Sequence, residues 1–163
     1  MNISYTEADY EESLIELFQE MGYQHVYGPD IDRDFTSPLY NDVLVEYIHR
    51  LNTSLPEDAI TDALYKLKNY ENGELVQKNE IFMDYLQNGI PVRYNDKGEE
   101  WSDIVYLVDY GNVEKNSFIV ANQWTFIENS NKRPDILLLL NGIPVVLVEL
   151  KSPSRQETSA SEG

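Results

Sequence analysis

Two apolar runs meeting at Asn141-Gly142 constrain this chain more than any other feature. Asp135 to Leu140 and Pro144 to Leu150 are dense in leucine, valine and isoleucine, which suit a pleated, buried surface. Asn-Gly is the pair that most readily reverses a chain between strands. The segment reads as a hairpin inside a sheet. At its open end stand Asp135 on one strand and Glu149 and Lys151 on the other. Charges at the ends of apolar core strands are costly to bury, so these three need mutual pairing, a cation or solvent.

Glu149 and Lys151 lie two positions apart on an extended strand and so project from one face. Whether Asp135 joins them depends on the turn. A two-residue type I′ loop would place Asp135 opposite Val148 and leave Glu149 on the other side of the sheet. A three-residue loop, Leu140-Asn141-Gly142 with Gly142 left-handed, pairs Asp135 with Leu147 and puts all three on one face. A shared site therefore predicts an odd-length turn or a bulge. Two converging carboxylates would supply hard oxygen ligands for Mg²⁺, and Lys151 could orient a water or stabilise charge on a phosphate. An ordinary Glu149 to Lys151 salt bridge, with Asp135 in solvent, is the alternative the spacing leaves open.

The rest of the chain supplies elements around this hairpin. Thr6 followed by Asp9 predicts a capped helix over about residues 7–21, with Tyr10, Leu14, Ile15, Leu17, Phe18 and Met21 along its apolar stripe and Gly22 at its end. His25-Val26-Tyr27 reads as a short strand before a turn at Gly28-Pro29-Asp30. Asp42 to Leu51, a second helix opened by Ser54-Leu55-Pro56-Glu57, and a third over about 74–87 form a helical part, about 36–89. Beyond Gly89 the apolar period shortens to two, predicting strands at Pro91 to Tyr94, Ile104 to Tyr110 and Ser117 to Ile127 ahead of the hairpin. The expected organisation is one domain over 1–152 and a Ser/Glu-rich disordered tail over 153–163.

Composition narrows the function classes. No run reaches the roughly 20 apolar residues a membrane span needs, and the acidic N-terminus is unlike a secretory signal, so a cytoplasmic protein is expected. There is no cysteine, which removes disulfides, thiolate zinc sites and a cysteine nucleophile. The two histidines, His25 and His49, have no partner ligands at metal spacing. A formal charge of −17 opposes a strong grip on DNA phosphates.

Pro134-Asp135 followed by Glu149-Leu150-Lys151 resembles the PD-(D/E)xK nuclease signature. Tyr5 to Tyr23, Asn116-Ser117-Phe118, Asn122-Gln123, Arg133-Pro134-Asp135 and Asn141-Gly142-Ile143-Pro144 widen the likeness. Together they resemble the N-terminal nuclease domain of type I restriction enzyme R subunits over about residues 5–153. The resemblance implies an α/β, restriction-endonuclease-like fold, with a mixed central sheet flanked by helices and a helical segment between the first helix and the sheet. It also implies a Mg²⁺-dependent endonuclease acting on double-stranded DNA. Asp135 and Glu149 would ligate the metal, the Leu150 carbonyl would add a third ligand, and Lys151 would be the catalytic lysine.

Related nucleases often add a glutamate from the first helix. Glu11 shares the inward stripe of Leu14, Ile15 and Phe18, whereas Glu12 lines up with Glu16 and Gln19 on the wet side, so Glu11 is the choice. An exposed acid favoured by the helix dipole is the competing reading. No GxxxxGK[S/T] loop occurs, so the ATP-dependent motor of such subunits would lie elsewhere in a longer polypeptide. Its methylation and specificity partners would supply DNA grip and sequence choice. R subunits of this kind carry a Gln-xxx-Tyr pair shortly past the catalytic glutamate, and none follows Lys151 here; the stretch reads as a fragment. A stand-alone repair or junction-resolving nuclease of the same fold, and an acidic, non-catalytic interaction domain, are the alternatives.

Overall fold

The computed structural model describes residues 6–69, 74–127 and 131–151, so the expected tail at 153–163 lies outside the described residues. The chain divides into two compact units. The first draws on Met1–Leu39, Phe118–Leu139 and Pro144–Gly163, the second on Tyr40–Ser117 and Leu140–Ile143.

The first helix, α1 (Glu7–Glu20), starts where the sequence places it. Thr6 and Asp9 form a reciprocal capping box that satisfies two otherwise orphaned backbone donors. Gly22 closes the helix at φ 95°, a left-handed conformation that costs glycine little. Strand β1 (Gln24–Tyr27) follows. It pairs in parallel with β4 (Phe118–Asn122), His25 beside Val120 and Tyr27 beside Asn122.

With β7 (Ile136–Leu140) and β8 (Ile143–Val148) these strands make a four-stranded sheet in the order β1-β4-β7-β8. Asn141 N–H donates to Ser117 O at 2.9 Å and Ser117 N–H to Asn141 Oδ1 at 2.6 Å. The start of β4 therefore lies beside the end of β7, and these neighbours run antiparallel. The sheet is thus mixed, and the fold is the α/β arrangement the sequence predicts. Ile15 of α1 packs with Val120, Ile136 and Leu138, and Leu14, Phe18, Tyr23 and Val148 close around them. Full burial of each such side chain contributes about 1.5–3 kcal/mol.

The second unit holds α2 (Asn41–Leu51), α3 (Glu57–Lys68), α4 (Leu75–Asn88) and the hairpin of β2 (Ile90–Asp96) and β3 (Glu99–Val105). Leu44, Ile48, Ile60, Leu67, Ile90, Val92, Val105 and Leu107 are buried there. Two expectations fail in this unit. The strand expected over Ile104 to Tyr110 ends at Val105, because β3 pairs back along β2 from Glu99 through a turn at Lys97-Gly98, both at positive φ. The box expected at Ser54 does not cap α3. Pro56 occupies that position without a side-chain cap, and its fixed φ suits the entry to a helix.

In the first unit, the strand expected over Ser117 to Ile127 is broken. Gln123 takes φ 54°, separating β4 from β5 (Phe126–Ile127), which pairs with β6 (Asn131–Lys132).

Candidate active site

Strand direction brings the residues singled out in the sequence to one end of the four-stranded sheet. β1 and β4 are parallel, and β7 runs against β4. β8 runs against β7, since two residues suffice to join them. The ends of β1, β4 and β8 and the start of β7 therefore lie together. Asn122 and Gln123, Asp135, and Glu149 to Lys151 all belong to that end.

The turn at the opposite end corrects the sequence expectation. Asn141 and Gly142 both have positive φ, 50° and 79°, the signature of a two-residue type I′ turn rather than the three-residue loop. Alternation from such a turn would set Val148 on the face away from Ile136 and Leu138. Val148 instead packs against the cluster containing both, after three consecutive exposed residues, Val145 to Leu147. The alternation is therefore interrupted inside β8, as a bulge does. Asp135 lies just before β7 and Glu149 just after β8, outside the strands themselves.

One contact ties the two strand ends together. Asp135, half-buried after the buried Pro134, accepts the Leu150 N–H on Oδ2 at 2.6 Å. That bond anchors the carboxylate to the middle of the Glu149-Leu150-Lys151 segment. Glu149 and Lys151 are exposed, and among the described residues no ion pair links them. The simple salt bridge that the spacing left open is not formed.

Glu11 belongs to a second group at this end. It is half-buried while Glu12 is exposed, as the inward stripe of α1 predicts. Its Oε1 accepts from Asn122 Nδ2 at 2.7 Å, and Gln123 Nε2 lies 3.5 Å from both its oxygens. His25 Nε2 contacts Asn122 Oδ1 at 2.9 Å. These side chains line a cleft of about 560 Å³ along α1. Among the described residues no three histidines or carboxylates gather closely enough to hold a metal, so Glu11 does not complete a three-carboxylate cluster with Asp135 and Glu149.

The His25 and Asn122 contacts escape a reading of the sequence because 97 residues separate the partners. The one local signal is the Asn-Gln pair that ends the apolar run Phe118 to Ala121.

A chemical inventory follows from this geometry. Asp135 and Glu149 carry hard oxygens and Leu150 a backbone carbonyl, the kinds of group that could hold Mg²⁺ rather than a softer metal. Lys151 follows Leu150 directly and is exposed.

Comparison with known proteins agrees with the nuclease resemblance. The family model "Type I restriction enzyme R protein N terminus" matches residues 4–162. The chain is similar to the type I restriction enzyme HindI endonuclease subunit of Haemophilus influenzae, 31% identical over 160 residues, which is 92% of this chain and 15% of that protein. Two Methanocaldococcus jannaschii proteins named for the same kind of subunit, MjaIXP and MjaVIIIP, are 28% and 33% identical over 91% and 94% of this chain, and over 15% and 14% of their own lengths. The chain thus spans about 15% of the length of the relatives it matches. No helix among the described residues is long and apolar enough to cross a membrane.

Proposed function

The chain belongs to the family of N-terminal segments of type I restriction enzyme R proteins, and from that premise we propose that it is the DNA-cutting part of such a subunit. It hydrolyses phosphodiester bonds of double-stranded DNA once the motor elsewhere in the polypeptide has translocated along the duplex under ATP. The methylation and specificity subunits choose the sequence.

The observation that carries this reading is the Asp135 Oδ2 to Leu150 N–H bond of 2.6 Å. It joins the two halves of the motif through the backbone, so that the Asp135 carboxylate is oriented before any ligand arrives. Such preorganisation lowers the reorganisation a reaction must undergo. Asp135, Glu149 and the Leu150 carbonyl would hold Mg²⁺. Such an ion, when bound, would supply Lewis-acid chemistry, polarising a phosphoryl oxygen and acidifying a water. Lys151, exposed and unpaired with Glu149, orients that water or meets the charge that develops on the phosphate.

The test keeps the shape and removes the charge. Asp135→Asn retains an oxygen to accept the Leu150 N–H but weakens the cation site. In the full-length polypeptide with its partner subunits, DNA cleavage is expected to fall by about a hundredfold or more while ATP hydrolysis persists. Chelating Mg²⁺ after translocation has begun should likewise stop cutting. Undiminished cleavage by the variant would overturn the proposal and leave the acidic interaction domain as the better reading.

A further inference from the structure

The group around Glu11 has a hydrogen-bond logic that fixes its donors and acceptors. An ionised carboxylate only accepts. Asn122 must therefore present its amide nitrogen to Glu11, as the 2.7 Å contact from Nδ2 to Oε1 has it. Its oxygen is then left facing His25, and the 2.9 Å contact between that oxygen and His25 Nε2 requires the imidazole to donate from Nε2. Donation runs one way, from His25 to Asn122 to Glu11.

The backbone that presents these amides is itself specialised. Gln123 is held at φ 54° without being glycine, a conformation that costs free energy and recurs at functional sites. Gly28, at the end of β1, leaves room for it. A Cβ on Gly28 would come within 2.5 Å of the Gln123 carbonyl oxygen. The Asn-Gln corner is thus pressed against a glycine at the carboxyl ends of two parallel strands, where open α/β sheets most often bind ligands. Neither α1 nor the sheet core needs two amides and an imidazole there, because Ile15, Val120 and Ile136 already bury the interface.

We infer that Asn122, held by His25, is a positioning residue that orients Glu11 toward the proposed nuclease centre at the same end of the sheet. This rests on the nuclease reading above. Mg²⁺ keeps several of its waters when protein carboxylates bind it. A carboxylate held at this end of the sheet would accept hydrogen bonds from such waters, and Glu11 would in that way favour the loaded ion without ligating it directly. Asn122 touches neither ion nor phosphate and acts only through Glu11.

The experiment compares Glu11→Gln, Asn122→Asp and the double variant in the full-length polypeptide with its partner subunits. Asn122→Asp keeps the shape and removes the amide donor. Outer partners of metal sites commonly account for about 10–100-fold in affinity or activity. Each single variant should slow DNA cleavage within that range. The double variant should be no slower than the worse single one, since both act on one carboxylate.

Titration with Mg²⁺ alone, followed by calorimetry without DNA, should show weaker binding in all three, with thermal midpoints near that of the parent. His25→Gln, which can still donate to Asn122, should cut nearly as the parent does, whereas His25→Leu should follow Asn122→Asp. Multiplied losses in the double variant, or Mg²⁺ binding untouched in all three while Asp135→Asn weakens it, would overturn the inference. If Asp135→Asn itself leaves both cutting and Mg²⁺ binding intact, it is the nuclease reading that fails.

Discussion

Asn141 is fully buried and left-handed, φ 50°, a combination that only an amide or glycine tolerates well. Its side chain accepts from Ser117 N–H at 2.6 Å and donates to Leu107 O and to Asn116 Oδ1, each at 2.8 Å. Replacing it with alanine would leave two buried acceptors, Leu107 O and Asn116 Oδ1, and the half-buried Ser117 N–H without that partner, and would strain the turn. Orphaned groups cost about 1–3 kcal/mol each before water or relaxation compensates. Asn141→Ala should therefore destabilise the fold by roughly 3 kcal/mol, read as a lower urea midpoint with unchanged slope. A change within about 0.5 kcal/mol would show that the side chain anchors nothing. The sequence marks Asn141 as a turn residue but gives no sign of this anchoring, because its partners lie 24 to 34 positions away. Asp135 is similar: its spacing from Glu149 is legible, while its bond to the Leu150 N–H emerges only from the strand ends.

Elements were legible where their cause is local. The α1 cap at Thr6 and its stop at Gly22, the helices α2 and α4, and the paired runs β7 and β8 follow from caps, periods and turn residues within a few positions. Failures came where pairing partners decide. The end of β3 at Val105 is set by its register with β2, and the break at Gln123 by its approach to Gly28. The two-residue turn at Asn141-Gly142 departs from the three-residue loop because both residues accept positive φ.

The α2 and α3 helices carry a pH-dependent link of their own. His49 Nδ1 contacts Val45 O at 2.7 Å and Nε2 contacts a Glu57 oxygen at 2.8 Å. Both partners only accept, so both ring nitrogens must donate and the imidazole is charged. The Val45 carbonyl first, and the Glu57 carboxylate second, raise its pKa above the ordinary histidine value. A raised folded pKa means the contribution is complete below the unfolded value, near 6.5, and is lost as pH climbs through the folded value. For so exposed a pair it should be no more than about 0.5 kcal/mol. The thermal midpoint of the parent relative to His49→Gln should shrink as pH rises from the acid side through that window; a difference that grows would reverse the assignment.

At the scale of the whole molecule, the charge of −17 and the nuclease reading constrain each other. A nuclease that searches for DNA unaided gains affinity by releasing counterions from phosphates it neutralises, and this composition provides little for that. A cutter delivered to its substrate by a translocating motor needs no such grip. On the proposed reading, its acid excess would suppress encounters with DNA that the motor has not engaged. Glu80, Asp84, Glu99 and Glu100 are exposed acids on α4 and β3, outside the residues proposed for the site. Changing all four to lysine should leave translocation-dependent cleavage near the parent level. It should raise motor-independent nicking of supercoiled DNA at low salt by about tenfold, an excess that fades steeply as salt increases, because the added binding is electrostatic. Unchanged nicking across salt concentrations would mean that the acidity has no part in restraining the site, and that weak intrinsic DNA binding must have another physical cause.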